Sequence, residues 1–224
     1  MKPAPLRRLC DPGPVRDWIG WHDAYDDPAS SLARRLEVVK RRLDQALDSL
    51  TTTRPRLLSL CAGDGRDVIG VLARRVPSLA VTALLIDSDP KLTARATAAA
   101  GGAGLGSVQV RCADAGDIAS FADVVPVDVL MLCGIFGNID HSAVKNVIQA
   151  TPGLLNVGGY VIWTRGGSEP DRRPQVRSWF ESAGLEEVAF DGTPQPYGVG
   201  VNRKTPRSAL SPTRQITDRL FTFA

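Results

Sequence analysis

Between residues 56 and 191 short apolar runs alternate with amphipathic stretches. The runs are RLLSLC (56–61), AVTALLI (80–86), SVQVRC (107–112), VDVLMLC (127–133), GYVIWTR (159–165) and LEEVAFD (185–191). Helical patterns follow the first five, over 66–75, from Asp89 or Pro90 onward, and over 117–122, 140–150 and 172–183. Asp followed by Pro suits a helix cap and first turn. Continuous apolar strands separated by single helices need cover on both faces, which a parallel sheet between two helical layers provides. The expectation is a doubly wound α/β domain over 51–224, with ligands at the carboxyl ends of its strands.

Two regions fall outside this rhythm. Residues 29–50 put Leu32, Leu36, Val39, Leu43, Ala46 and Leu50 at three- and four-residue steps, which predicts an amphipathic helix with a charged outer face. Residues 1–14 are Pro-rich and no element is placed there. Together, 1–50 read as an N-terminal helical extension or lid. One of two late segments, YGVGVN (197–202) or RLFTFA (219–224), should add a strand, and the pattern does not choose between them. No internal repeat is visible.

Composition narrows the function. With 224 residues, 43% of them hydrophobic and 23% charged, the chain can bury one substantial core. No apolar run approaches the roughly 20 residues of a membrane span, and the first residues lack a secretory pattern, so a cytoplasmic protein is expected. Cys10, Cys61, Cys112 and Cys133 show no CxxC spacing and have only two histidines to join them, which predicts free thiols and no metal. A net charge of +3 gives little support to nucleic-acid binding, and the basic residues Arg203, Lys204, Arg207, Arg214 and Arg219 read as a solvated tail.

The chemistry concentrates at strand ends. LLSLCAGDGRDVIGVL (57–72) is a strand, a turn with Gly63 and Gly65, and a helix. Glycine lets backbone approach a ligand closely and adopt positive φ. Phosphate-binding turns of this kind want a third glycine, where this chain has Val68, and the acids Asp64 and Asp67 repel phosphate but suit a cationic or amine-bearing ligand. The second strand ends at Asp87, placed to accept from a ribose diol, while Asp89 fits a helix cap. The third ends at Asp114, which could accept from an adenine amine while the Ala115 amide donates to the ring.

These stretches, with VDVLMLCGIFGNI (127–139), resemble the successive motifs of class I S-adenosylmethionine-dependent methyltransferases over about 57–184. The resemblance implies a seven-stranded, mostly parallel sheet whose last strand is antiparallel, with S-adenosyl-L-methionine as cofactor. By position it implies that Ala62, Gly63, Asp64 and Gly65 border the methionine part and Asp87 holds the ribose. Ser88 would flank the adenine, Asp114 and Ala115 would read its edge, and Cys133 and Gly134 would line the methyl side. Cys61 and Asp64 depart from the commonest form of the turn.

Methyl transfer from sulfonium is an in-line displacement that needs alignment and exclusion of water more than a dedicated base. The segment 133–145 lacks the Asn/Asp-Pro-Pro-aromatic pattern of nucleobase amino methylation and the Pro-Cys pair of cytosine-carbon enzymes, which favours a small-molecule acceptor. His141 is the candidate base, or else an exposed first-turn histidine; Asn138 either binds acceptor or ends the loop. RDWIGWHDAYDDP (16–28) gathers Trp18, Trp21, His22 and Tyr25, with His22 and Tyr25 expected at the active site and the tryptophans able simply to dock the segment. Arg165 could reach an anionic substrate. A nicotinamide-dependent oxidoreductase and a catalytically silent cofactor-binding module are the alternatives, and a monomer and a homodimer are both compatible with the sequence.

Overall fold

The computed structural model describes residues 24–75, 80–206 and 218–223. In chain order the elements are α1 (Ser31–Asp48), β1 (Arg56–Leu60), α2 (Val68–Arg75), β2 (Thr82–Asp87), α3 (Pro90–Gly102), β3 (Val108–Cys112), a 3₁₀ turn (Ile118–Ser120), β4 (Val127–Leu132), α4 (His141–Leu154), β5 (Leu155–Gly166), α5 (Arg173–Ser182), β6 (Leu185–Asp191) and β7 (Tyr197–Lys204). They form a seven-stranded sheet in the order β3-β2-β1-β4-β5-β7-β6. β1 pairs in parallel with β2 and β4, and the parallel pairing continues outward to β3 and β5. β7 inserts between β5 and β6, antiparallel to both. YGVGVN therefore supplies the last strand, while 219–223 makes only isolated bridges at Asp117 and Ile139.

The central strands are buried on both faces, as their unbroken apolar runs require. Leu57, Ala83, Leu85, Val129, Met131 and Ile162 face a layer formed by α1, α2 and α3. Their alternates Leu58, Leu60, Leu84, Ile86, Leu130, Leu132, Val161 and Trp163 face α4, α5 and, at one end, Leu220 and Phe221. α1 buries Val39, Leu43, Ala46 and Leu47 on the first layer. Its polar side is tied down by ion pairs, Arg42 to Asp191 at 2.6 Å and Asp44 to Arg75 at 2.6 Å.

Two boundaries differ from the sequence expectation. The predicted helix 117–122 is only the 3₁₀ turn, begun by the Asp117 carboxylate accepting from Ala119 N at 3.0 Å. No loop separates α4 from β5, because Lys204 Nζ donates to the carbonyls of Pro152 (2.7 Å) and Leu155 (2.8 Å), groups that a helix end otherwise leaves open. Strand order reverses direction between β1 and β4, and it is at the carboxyl ends of such a switch point that doubly wound sheets offer a crevice. Among the described residues no helix is long and apolar enough to cross a membrane.

Candidate active site

The turn after β1 places three residues in left-handed backbone, Cys61 (φ 54°), Gly63 (φ 58°) and Gly65 (φ 68°). β2 stitches it shut: Ala62 N donates to Ile86 O at 2.9 Å and Gly63 N to Asp87 Oδ2 at 2.8 Å. Gly65 is needed for packing as well as for its φ, since a Cβ there would lie 2.6 Å from Leu85 Cδ2 and 2.9 Å from Ile69 Cδ1. α2 then starts at Val68, whose amide donates to Asp67 Oδ1 at 2.7 Å. Burial pushes the Asp67 carboxyl up from its ordinary value, opposed by that amide, with Asp64 adding a push and Lys40 a pull. Asp64 is engaged otherwise: Arg66 grips it with Nε at 2.9 Å and Nη2 at 2.6 Å, and also reaches Asp26 at 3.1 Å.

Asp87 accepts from Gly63 N through one oxygen and from Asp89 N (3.0 Å) through the other, so both oxygens are fixed at the β2 tip. Asp89 caps α3, accepting from Lys91 N and Leu92 N. Ser88 is exposed beside Asp87, and its carbonyl receives the Cys112 thiol at 3.7 Å, joining the β2 and β3 tips. Beyond β3, Asp114 Oδ1 accepts from Gly116 N at 2.8 Å and Oδ2 from Arg219 Nη1 at 2.7 Å. Ala115 is buried, and its amide has no acceptor among the described residues. Cys61 feels the charge of both acids. Burial pushes its thiol well up, and the charges of Asp87 and Asp114 add to the effect.

At the β4 tip, Gly134 (φ 79°) donates its amide to Thr164 Oγ1 at 2.8 Å, and a Cβ there would meet open space. Asn138 Nδ2 donates to Gly134 O at 2.7 Å, so it shapes this loop. Arg165 donates to Phe136 O in the same loop. Burial drives the Cys133 thiol well above its ordinary range, which keeps it protonated, and the neighbouring Asp67 acts in the same direction. Tyr25 joins this group. It is half-buried, its hydroxyl accepts from Arg35 Nη2 at 2.7 Å, and Arg66 sits over its ring at 5.0 Å. Burial raises the phenol, with Arg35 opposing and with Asp67 and Cys133 close enough to contribute. The structure thus brings Tyr25 to Arg35 of α1 and to Arg66 of the glycine turn.

His141 goes elsewhere. Its Nε2 lies 2.8 Å from Gln175 Oε1 and its ring 4.6 Å from that of Trp179, both residues of α5. His22, Trp18 and Trp21 lie outside the described residues, as do Cys10, Arg207 and Arg214. Sequence reasoning missed Arg35 and Thr164 and did not connect Arg219 with Asp114. Arg35 looks like one more charge on the outer face of α1, and only the packed helix points it at Tyr25. No group of three or more potential metal ligands occurs among the described residues.

No family model and no curated protein sequence matches the chain. Solved structures do match. An O-methyltransferase family protein from Burkholderia thailandensis superposes with a TM-score of 0.64 at 19% identity, over 84% of this chain and 60% of that one. The 1,6-didemethyltoxoflavin-N1-methyltransferase of the same organism, solved with 1,6-didemethyltoxoflavin and S-adenosylhomocysteine, gives 0.60 at 16% identity over 84% of both chains. The chain has the class I methyltransferase fold. That fold is broader than its name, because the [4+2]-cyclase SpnF also matches, with a TM-score of 0.53 at 17% identity over 74% of this chain and 81% of that one.

The residues present fit the cofactor of this fold. Asp67, Asp87 and Asp114 offer carboxylate acceptors around a bare-backbone turn, and the Ala115 amide is a donor with no acceptor among the described residues. The Arg66 guanidinium, the cation of the turn, is already taken by Asp64 and Asp26. Such a donor set suits a diol, an amine and a sulfonium, and it is ill suited to pyrophosphate.

Proposed function

We propose that the chain is an enzyme that binds S-adenosyl-L-methionine at the tips of β1, β2 and β4 and transfers its methyl group to a small-molecule acceptor by in-line displacement. The observation that carries this reading is the set of acids at three strand tips around a glycine turn whose arginine is internally neutralised. When bound, the cofactor supplies an electrophilic methyl group on a positively charged sulfur. Asp87 accepts from the ribose hydroxyls, Asp114 and Ala115 read the adenine edge with Ser88 beside it, and the backbone of 62–65 borders the methionine part. Gly134 and Cys133 line the methyl side, where a protonated Cys133 thiol is a poor competing nucleophile.

Tyr25 covers that side as a neutral phenol. Its raised pKa makes it a hydrogen-bond partner rather than a general base. His141, the candidate base from sequence, has its Nε2 engaged by Gln175 of α5, so alignment of the acceptor carries the transfer in this reading. His22 remains a candidate for the lid on its sequence position. The small acceptor is supported by the lack of nucleobase-methylation motifs and by neighbours solved with 1,6-didemethyltoxoflavin and with apigenin. We propose a cytoplasmic location, where cysteines without CxxC spacing would stay reduced. A second reading, a role other than methyl transfer on this fold, is supported by the match to a [4+2]-cyclase.

Calorimetry on the purified chain tests the assignment. S-adenosylmethionine and S-adenosylhomocysteine should bind and NAD should not. Asp87→Ala should weaken both ligands by more than about tenfold, the scale of losing one or two charge-assisted hydrogen bonds. Because Asp87 also holds Gly63 N and Asp89 N, a thermal melt must show that the variant is folded at the titration temperature. Undiminished binding by the folded variant, or no binding by the parent chain, rejects the reading. Consumption of the methyl donor against an acceptor panel separates transfer from silent binding.

A further inference from the structure

The C-terminal segment 218–223 ties together the loops after β3 and β4. Ile118 N donates to Asp218 O at 3.1 Å and Leu220 N to Gly116 O at 2.7 Å, while Phe223 bridges to Ile139. Leu220 and Phe221 are buried in the same core as Phe121, Ile135 and Phe136. The fit is close enough that a Cβ on Gly116 would overlap the carbonyl of Phe221. This backbone is therefore a fixed strap over the β3 side of the crevice.

One side chain of the strap reaches a group assigned above to cofactor. Asp114 Oδ1 is held by its own loop through Gly116 N, so Oδ2 is the oxygen turned to outside donors, and Arg219 Nη1 occupies it at 2.7 Å. The same Nη1 also donates to Phe221 O at 3.3 Å, which gives the guanidinium a resting place on the strap itself. The ion pair is half-exposed, 46% for Arg219 and 49% for Asp114, so opening it costs little and needs no movement of the anchored backbone.

We infer that Arg219 is a gate on the adenine subsite: its guanidinium stands in for the adenine amine on Asp114 Oδ2 and must swing away when the nucleoside enters. The inference rests on the cofactor reading above. It makes Arg219 a competitor of the ligand, opposite in sign to the usual expectation that an arginine at a nucleotide site helps binding. Salt is a second handle, because a half-exposed pair is screened.

The test is calorimetry with S-adenosylhomocysteine on the full chain and on Arg219→Ala, Arg219→Lys, Asp114→Ala and the Arg219→Ala/Asp114→Ala double variant. Arg219→Ala should tighten binding about 1.5- to five-fold, the range of an exposed ion pair, and Arg219→Lys should fall between it and the parent. The advantage of Arg219→Ala should vanish in the Asp114→Ala background and shrink between 50 and 500 mM salt, values chosen on the order of the range over which exposed pairs are screened. Arg203→Ala, which removes a charge at the opposite end of the sheet, should leave affinity unchanged and so excludes a general charge effect. Equal or weaker binding by Arg219→Ala while the parent binds overturns the gate alone. A gain that persists without Asp114 overturns it too. A parent chain that binds no S-adenosylhomocysteine overturns the cofactor reading and the gate together.

Discussion

Cys61 is the only non-glycine residue at positive φ among the described residues, and it sits where the backbone turns toward the crevice. A side chain in left-handed backbone costs on the order of 1–2 kcal/mol, which the stitching of Ala62 and Gly63 to β2 must hold in place. The thiol regains part of that by packing against the core. Glycine at 61 removes the strain but loses the packing and gains unfolded-state freedom, so Cys61→Gly should leave stability within about 1 kcal/mol of the parent. Cys61→Val puts a branched Cβ into the same backbone and should lose about 2 kcal/mol or more. Urea unfolding of the pair checks this. Equal loss in both variants would mean that packing, not backbone strain, governs the position.

At the scale of elements, β7 shows how a strand is fitted around a side chain. Trp163 on β5 is fully buried, stacks on Phe180 at 5.4 Å, and donates Nε1 to Asn202 Oδ1 on β7 at 2.8 Å. Its indole covers Gly200, where a Cβ would overlap the ring. Gly200→Ala should therefore destabilise the fold by about 1–3 kcal/mol, the cost of overpacking a core, with a matching drop in the midpoint of thermal unfolding. An unchanged midpoint would show that the indole can shift. The sequence shows Gly198 and Gly200 but not what covers them, because the partner ring lies 37 residues upstream of Gly200 on another strand. The same division runs through the molecule. The order β1 to β6 and the acid-tipped glycine turn are legible because period and turn chemistry are local. The insertion of β7 between β5 and β6, the unbroken step from Leu154 to Leu155, and the pairs Arg35–Tyr25 and Arg219–Asp114 come from tertiary packing, which leaves no local pattern.

Taken as a whole, the crevice is an acidic mouth on a chain of net charge +3, and the balance can be read through Asp67. Burial raises its pKa above the unfolded value. Between those two values the folded chain keeps a proton that the unfolded chain releases, so this group's contribution to stability falls as pH rises through the window. Above the window the ionised, desolvated carboxylate is a standing cost, and Asp67→Asn should be more stable than the parent at pH 7 but not below Asp67's unfolded pKa, roughly 3.9. A cation brought beside Asp67 favours the ionised form, so binding S-adenosylmethionine should expel that proton. Its affinity should then fall as pH drops below the raised pKa, and S-adenosylhomocysteine, which lacks the sulfonium charge, should lose less. Asparagine at 67 removes the titrating group and should bring the two pH profiles parallel. Titrating both ligands at intervals from about pH 4 to 8 measures this directly, since the window begins near the ordinary carboxylate range. If the profiles of the two ligands already run parallel in the parent chain, Asp67 does not face the sulfur, and the acids of the turn serve the fold rather than the donor's charge.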